Sequence, residues 1–444
     1  MGAELADRDR FVDLLRGGSI TAVVVGHWLV ADLTWQGGRI EQDSALAAVP
    51  QMWPLTWVLA VIPLFFFIGG FSNRHSWEGV LRRGQGYSAF LDRRVHRVLV
   101  PTGLYLVVVS TVGFVIDQLG GLGIRAIGGL FLQPLWFLGV FLWIAALAPL
   151  TVRAHERFRW WTVGALVLLV ALGDLGRIVL DVPVMGYANV LTVWLLMHQL
   201  GYFYAEGALT RPWLMAVGGW AATAALVSLP AYPATMVGVP GGEAGNMHPP
   251  TLAMTTLGFA MIGTALVLRA RLTPWLHRPH VWRAVVMVNL FMITLYLWHQ
   301  PALALAARIA LPLGYPHPDA GSIAWWLAHI LWLVLPAAVL AVIVALVGRA
   351  EQVRPPDPAP PGSMTARAAA VAVCLLGLGL LALAGSSATE PFARGQSLGP
   401  VVPSPLIGLA AVAVSAGVLH GVRAGQAGAR WALVAGAGVL GAIG

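Results

Sequence analysis

The sequence predicts an all-α integral membrane protein that crosses the bilayer many times. Hydrophobic residues make up 58% of the 444 positions and charged residues only 10%, far below the roughly 25% charge of an average soluble domain. Apolar runs of about 20 residues recur along nearly the whole chain, the length that an α-helix needs to cross the hydrocarbon layer. Backbone groups in lipid must pair within their own segment, so helices are expected throughout.

The candidate spans divide into a body and a C-terminal appendage. The body has ten spans, predicted at 17–35, 55–72, 98–117, 134–152, 161–178, 188–206, 213–230, 251–269, 284–303 and 323–347. We predict a long, charged loop at 73–97. The stretch "RPPDPAPPGS" (354–363) contains five prolines and cannot form regular helix, so residues 348–366 are predicted to be a cytoplasmic linker. Residues 367–444 are predicted to form two or three further hydrophobic helices of unknown role.

The distribution of charge predicts the topology. All 27 basic residues are arginines. With a cytoplasmic N-terminus, 22 of them fall on the inner side, and five fall outside, namely Arg39, Arg125, Arg177, Arg308 and Arg394. This split follows the positive-inside rule, so the net charge of +8 indicates topology and gives no reason to expect a nucleic-acid partner. The absence of lysine suggests a GC-rich bacterial genome and hence a bacterial plasma membrane.

Two ionisable residues share one face of the first span. Arg16 and His27 are 11 residues apart, which is about 20° beyond three full turns and roughly 16 Å along the axis. Asp13 is close enough in sequence to pair with Arg16. A lone histidine in a span is often a packing residue. However, ionisable groups inside a bilayer are costly and usually line a pathway or a reaction site, and a neutral imidazole can serve as a general base. We expect His27 to lie about halfway across the membrane.

A second cluster contains Arg93, Arg94 and Arg97, at the predicted inner mouth of the third span. Arg93 and Arg97 are expected to share a helix face. Guanidinium groups bind phosphate oxygens in pairs, but a topology-setting stretch that contacts anionic lipid heads would look the same.

Later spans carry further polar residues, namely His198, Tyr296 and His299. Each histidine alone is more often structural than functional. Together with the span that carries His27, three separate spans contain a histidine. A structural role for all three is harder to explain, because each buried imidazole needs a partner.

Five stretches of the chain together resemble the membrane-bound acyltransferase family 3. "DLLRGGSITAVVVGH" (13–27) resembles its opening arginine–histidine motif, and "FFFIGGFSNR" (65–74) its second-helix element, although Gly70 stands where the family commonly has serine. "RRVHRVLVP" (93–101) resembles its Arg-x-x-Arg stretch. "LWFLGVFL" (135–142), with Trp136, and "LYLWHQPAL" (295–303) resemble later elements. The five occur in the family's order within residues 8–347.

The resemblance implies a ten-helix enzyme that moves an acyl group from cytoplasmic acyl-CoA to a hydroxyl of a sugar, glycolipid or other acceptor. His27 matches the family's essential histidine and Arg16 its partner arginine, while Arg94 and Arg97 match the pair thought to meet the CoA phosphates. Asp13, Trp136, His198, Tyr296 and His299 are then candidates for binding substrate or supporting the site. No tightly bound cofactor or metal is expected. Acetyl-CoA is the expected donor, a carbohydrate or lipid-linked molecule the expected acceptor, and membrane lipid surrounds the protein.

Two other classes of protein remain open at this point. A transporter or flippase would use His27, His198 and His299 to relay protons or bind a solute. Transporters often contain inverted repeats and interrupted helices, which the sequence does not display. A non-catalytic relative that binds lipid or an assembly partner is the third alternative, against which the intact Arg16 and His27 argue.

Overall fold

The computed structural model describes residues 9–119, 130–131, 134–239 and 245–349. The predicted C-terminal helices at 367–444 and nearly all of the predicted linker lie outside these residues. Within the described ranges the principal helices are α1 (Arg10–Val30), α2 (Ile62–Arg82), α3 (Tyr87–Gln118), α4 (Leu135–Phe158), α5 (Trp160–Asp174), α6 (Asn189–Ala205), α7 (Pro212–Val227), α8 (Leu252–Trp275), α9 (Pro279–Leu290), α10 (Met292–Ala310), α11 (Ile323–Trp332) and α12 (Val334–Val347).

Shorter elements connect these helices. A hairpin of two antiparallel strands, β1 (Ala31–Gln36) and β2 (Arg39–Ser44), follows α1 directly. The remaining elements are short helices at Ala45–Ala48, Trp53–Leu59 and Pro183–Gly186, a 3₁₀ turn at Pro50–Met52, and a π-helical end to α5 at Leu175–Val179.

The all-α, multi-pass membrane fold is confirmed. Each of the ten predicted spans of the body overlaps a helix or a pair of consecutive helices, although the first span extends beyond α1 into β1. Among the described residues, six helices are long and apolar enough to cross a membrane, and seven when the pair α9–α10, bent by 75°, counts as one. Large apolar side chains stay exposed on the outside of the bundle, for example Trp161 at 83% and Ile323 at 81%. A lipid-facing surface explains such exposure, which a soluble protein of this size would not tolerate.

The long loop predicted at 73–97 is wrong. Helix α2 continues to Arg82 and α3 begins at Tyr87, so only four residues separate them. Charged side chains are good helix formers when they can reach polar surroundings. No proline occurs between Asn73 and Gly84, and Gly84 is the first residue there with a positive φ, +65°. The Arg-x-x-Arg stretch is therefore helical.

Helix α1 packs against both α2 and α10. Helix α2 packs against α6, α1 and α4, and α10 packs against α12 and α1. The contact between α2 and α6 is especially close at Gly70, where a Cβ atom would meet the His198 carbonyl oxygen at 1.9 Å and the Gly201 Cα at 3.2 Å. Absent side chains thus let the two backbones touch.

Candidate functional site

The site centres on a pair of histidines from α1 and α10. His27 Nδ1 lies 2.7 Å from His299 Nε2, and the two rings are nearly parallel, with their centroids 5.0 Å apart. Trp28 Nε1 donates to the His299 carbonyl at 3.0 Å, which ties the two helices together beside the rings. His299 is fully buried, whereas His27 keeps part of its surface open.

The hydrogen bonds of the pair determine which nitrogen of His27 can accept a proton. His299 Nδ1 lies 2.5 Å from the Tyr296 carbonyl oxygen, which can only accept, so Nδ1 carries the hydrogen. In a neutral ring Nε2 is then an acceptor, and His27 Nδ1 must donate to it. His27 Nε2 is left with the lone pair that a general base or a nucleophile requires.

Aromatic side chains and a loop histidine surround this pair. The Tyr296 hydroxyl donates to the Pro134 carbonyl at 2.8 Å, so it fixes the start of α4. The first turn of α4 carries Trp136, which packs edge-on against His248 with the ring centroids 4.8 Å apart. His248, from the loop before α8, is close enough to act on His27 electrostatically.

Helix α1 ends before its predicted span does. The predicted span ran to residue 35, but α1 ends at Val30 and the chain turns into β1. His27 therefore occupies the last turn of α1. The predicted common face of Arg16 and His27 follows from the unbroken helix between them, and on that face lie Ile20, which is buried, and Val23, which is partly buried.

Two arginines converge on a single residue of α2, Ser72. Arg16 Nη2 donates to the Ser72 hydroxyl at 2.6 Å, and Arg94 Nη2 donates to the Ser72 carbonyl at 2.9 Å. Arg94 also lies over the Phe90 ring, and its buried Nε has no hydrogen-bond partner among the described residues. An unpaired N–H on a buried guanidinium is costly unless a ligand satisfies it.

The other two arginines of α3 behave differently from each other. Arg97 is exposed, yet near enough for its charge to act on Arg94. Arg93 bonds to Gln85 in the short loop before α3, whereas the neighbouring Arg94 bonds to Ser72. The charges of Arg97 and Arg16 both act on Arg94, and we call these three residues the arginine cluster.

The predicted pairing of Asp13 with Arg16 is present. Arg16 Nη1 lies 3.1 Å from Asp13 Oδ1, and the Asp13 side chain is almost fully buried. Asn289 in α9 donates to the Asp13 carbonyl at 2.8 Å. The aspartate thereby orients Arg16 towards Ser72 and fixes the start of α1 against α9.

His198 lies in the α2–α6 contact and away from the histidine pair. Its Nε2 is 2.9 Å from Asn73 Nδ2, and the residue is 1% exposed. Asn73 follows Ser72 directly, so this bond fixes the part of α2 that the two arginines contact. His198 therefore supports the arginine cluster indirectly, through Asn73.

Sequence reasoning missed several residues of the site. Ser72 and Asn73 stand at the end of an apolar run, where polar residues are ordinary, and only their position after Gly69 and Gly70 could have singled them out. His248 lies in a loop with no motif. Among the described residues, no group of three or more His, Cys, Asp or Glu side chains is arranged to hold a metal ion.

Comparison with known proteins identifies the family of the chain. No curated protein and no solved structure matches the chain. The family model described as an acyltransferase domain matches residues 9–349, a stretch that contains both the histidine pair and the arginine cluster. Since that match covers more than three quarters of the 444 residues, the chain belongs to acyltransferase family 3.

Proposed function

We propose that the protein transfers an acyl group, in the first instance acetyl, from acyl-CoA to a hydroxyl of a sugar, glycolipid or other acceptor, with His27 as the base. The observation that carries the proposal is the hydrogen-bond chain from the Tyr296 carbonyl through His299 to His27. It leaves an imidazole lone pair beside partly open space, in a chain that belongs to an acyltransferase family.

The transfer conserves atoms and charge. His27 Nε2 takes the proton of the acceptor hydroxyl while the oxygen forms a bond to the thioester carbon. The carbon–sulfur bond breaks, and the departing CoA thiolate takes the proton back from the imidazolium. During the step, the His299 Nε2 lone pair faces the Nδ1–H of the charged ring and stabilises it.

A second route has the same participants. The Nε2 lone pair of His27 attacks the thioester carbon, the carbon–sulfur bond breaks and the CoA thiolate departs, which leaves an acyl-imidazolium. The acceptor oxygen then bonds to the acyl carbon, the carbon–nitrogen bond breaks to restore the neutral ring, and the hydroxyl proton passes to the thiolate. Rapid quenching after addition of acetyl-CoA without acceptor, followed by mass spectrometry of the peptide that contains His27, distinguishes the routes, because only this one adds an acetyl group to the protein.

The arginine cluster is suited to the phosphate end of CoA. Arg94 offers a buried N–H without a partner, and Arg16 is already oriented by Asp13. Guanidinium groups bind phosphate oxygens with two parallel hydrogen bonds. The thin arm of the donor would then follow α1 past Ile20 and Val23 to His27, a rise of roughly 16 Å. A site enclosed in this way excludes water, the competing nucleophile.

The test uses purified protein in lipid nanodiscs with radiolabelled acetyl-CoA and an envelope extract of the host as acceptor. We expect labelled product with the wild type and none with His27→Ala, while membrane insertion is unchanged. His75→Ala is the matched control, because that histidine is exposed on α2 and bonds only to its own helix. Retained transfer by His27→Ala would remove His27 from the mechanism.

One observation favours the transporter alternative. The α9–α10 pair is broken by 75° at Phe291, two turns before His299, and interrupted helices are common at transport sites. Reconstituted vesicles separate the two functions. Movement of a solute across the bilayer without acetyl-CoA consumption would support a carrier, and labelled product would support the transferase.

A further inference from the structure

One side of α9 is exposed, and its chemistry changes along the helix. His280, Arg283, Ala284, Met287 and Leu290 are all exposed, and at 100° per residue they lie within an arc of about 120°. The other residues of α9 after the first are buried or partly buried. We call these five exposed residues the α9 face. Its first half is basic and its second half is apolar.

The basic half of the α9 face lies at a membrane surface. Helix α8 is long and apolar enough to span a membrane and ends at Trp275. The carbonyl of Leu276, the next residue, accepts a hydrogen bond from Arg10 Nη1 at 3.2 Å. Arg10 is the first residue of α1, and its guanidinium carbon lies 4.9 Å from the centroid of the Trp282 ring. The end of one span and the start of another therefore meet beside this half of the face.

The apolar half of the α9 face lies deeper. Asn289 donates to the Asp13 carbonyl at 2.8 Å, and a Cβ atom on Gly17 would meet the Val288 side chain at 3.3 Å. Helix α9 thus runs beside α1 in the same direction, from the level of Arg10 to that of Gly17, a rise of roughly 10 Å. The exposed apolar residues of the face are therefore at the depth of the lipid chains.

The arginines around the basic half have no acidic partner. The sequence contains no aspartate or glutamate between Glu243 and Asp319. Arg271, Arg278 and Arg283 are exposed, and none of the three forms an ion pair within the described part of the chain. Their positive charge is therefore available to an anion from outside the protein.

The acidic residues at the start of α1 do not compensate this charge. Asp9 Oδ2 lies 3.2 Å from Arg269 Nη2, and Asp13 Oδ1 lies 3.1 Å from Arg16 Nη1. Each carboxylate is thus already paired with an arginine outside the α9 face. An anion bound at the face would meet a surplus of positive charge.

We propose that the α9 face binds one anionic phospholipid, with its phosphate at Arg283 and its acyl chains against Met287 and Leu290. A guanidinium group binds phosphate oxygens with paired hydrogen bonds, and basic side chains beside membrane helices bind anionic head groups. Arg283 and Leu290 are seven residues apart, roughly 10 Å along the helix. A soluble phosphate covers only the basic half, whereas a phospholipid joins a charged head to apolar chains and covers both.

Binding is measured directly, so the result does not depend on the transferase function. The full chain is kept in dodecyl maltoside micelles, and 1-palmitoyl-2-oleoyl-phosphatidylglycerol or the phosphatidylcholine with the same chains is added. Native mass spectrometry counts the bound lipids. We expect one phosphatidylglycerol per protein to bind at a concentration about tenfold or more below that needed for phosphatidylcholine, and to raise the melting temperature.

Replacement of one arginine tests the basic half. Arg283→Gln should weaken phosphatidylglycerol binding by about tenfold or more, as expected for loss of a charged hydrogen bond. Arg157→Gln is the matched control and should leave binding unchanged. Arg157 is exposed at the end of α4 and also lacks an ion pair to any described residue. Equal losses in the two variants would mean that the lipid is attracted by overall charge, and the site would be rejected.

A second variant tests the apolar half and remains informative if Arg283→Gln fails to fold. Met287→Gln should weaken phosphatidylglycerol binding by about threefold or more, because the acyl chain loses apolar contact. Leu346→Gln, at a residue of α12 that is 75% exposed, should not weaken it. Excess glycerol 3-phosphate should leave the lipid bound. Displacement by glycerol 3-phosphate, unchanged binding by Met287→Gln, or equal affinity for the two lipids would overturn the proposal.

Discussion

His27 Nδ1 and His299 Nε2 are 2.7 Å apart, and the second ring nitrogen of His299 is bonded to the Tyr296 carbonyl. The buried ring therefore fixes the tautomer and orientation of the more open one. We expect His299→Leu to lower kcat by about 10²-fold or more, since general-base catalysis contributes 10²–10⁴-fold. The KM for acetyl-CoA should change little. Steady-state transfer assays in nanodiscs measure both.

His299→Gln is the informative companion to that variant. The glutamine carbonyl can accept from His27 Nδ1–H and so preserve the tautomer, and this variant should retain more activity than His299→Leu. Equal kcat for the two variants would mean that His299 acts through packing alone. Wild-type kcat in a correctly folded His299→Leu protein would remove it from the mechanism.

Neighbouring arginines of α3 should differ in their effect on donor binding. Arg94 contacts Ser72 in the arginine cluster, whereas Arg93 bonds to Gln85. We expect Arg94→Gln to raise the KM for acetyl-CoA by about tenfold to a hundredfold, the range of a lost charged hydrogen bond, and Arg93→Gln to leave it within a factor of a few. Equal increases in KM for the two variants would indicate that the arginines attract the CoA phosphates by their charge alone and not by a specific contact.

The proposed route of the donor arm makes Val23 sensitive to size. Val23 lies on the face of α1 between Arg16 and His27, whereas Val25 lies about 180° away from Arg16 on the same helix. Both valines are partly buried. Val23→Phe should lower kcat/KM for acetyl-CoA by about tenfold or more, because overpacking costs 1–3 kcal/mol. Val25→Phe is the matched control, and an equal loss in that variant would contradict this route.

The helices of the body were predictable because a long apolar segment predicts a membrane span. Their ends were not. Nothing in the charged residues from Arg74 to Arg82 stops a helix, so α2 continues well past its apolar run. The hairpin after α1 was missed although its signal is in the sequence. Gly37 and Gly38, with φ of +55° and +81°, form the Gly-Gly turn that favours hairpins. The first strand was nevertheless assigned to the predicted span 17–35, because it continues the apolar run of α1.

Part of the candidate site was predictable for a similar reason. Arg16, Asp13 and His27 stand out because charged and titratable groups are rare in apolar runs, and helical spacing relates them to one another. The contact of His27 with His299 joins residues 272 positions apart, and no spacing rule links them. Ser72 has the same difficulty, because a serine at a helix end carries no signal until Arg16 and Arg94 are seen to meet there.

An ion-pair group beside the end of α6 should make stability depend on pH. Glu206 contacts Arg74 at 2.5 Å, Arg159 at 2.7 Å and His155 at 3.2 Å. Burial opposes its ionisation, but the hydrogen bonds and charges of Arg74 and His155 outweigh that effect and lower the pKa of Glu206. The unfolded chain then binds a proton first as the pH falls, so this stabilisation is present above the ordinary glutamate pKa of about 4.3 and is lost below it.

Glu206→Gln should therefore lower the melting temperature at neutral pH and flatten its decline between about pH 5 and pH 3, the region where the glutamate stabilisation is lost. Thermal unfolding in nanodiscs, followed by tryptophan fluorescence, provides the measurement. Glu156→Gln is the control, since that glutamate is exposed on the last turns of α4. Parallel pH curves for the wild type and Glu206→Gln would show that the ion pairs contribute nothing net.

The contact of α2 with α6 should tolerate no added methyl group at Gly70. A Cβ there would lie 1.9 Å from the His198 carbonyl oxygen, and both atoms belong to helix backbones that cannot move independently. We expect Gly70→Ala to destabilise the fold by about 3 kcal/mol or more, at or above the upper end of ordinary overpacking. Because Ser72 and Asn73 follow on the same helix, the KM for acetyl-CoA should rise in whatever fraction still folds.

Gly218→Ala in α7, where a Cβ meets nothing within 4 Å, should be neutral or stabilising by up to about 1 kcal/mol. Equal melting temperatures for the two alanine variants would show that α2 and α6 are not in backbone contact, and the position of Ser72 beneath Arg16 and Arg94 would then lose its structural basis.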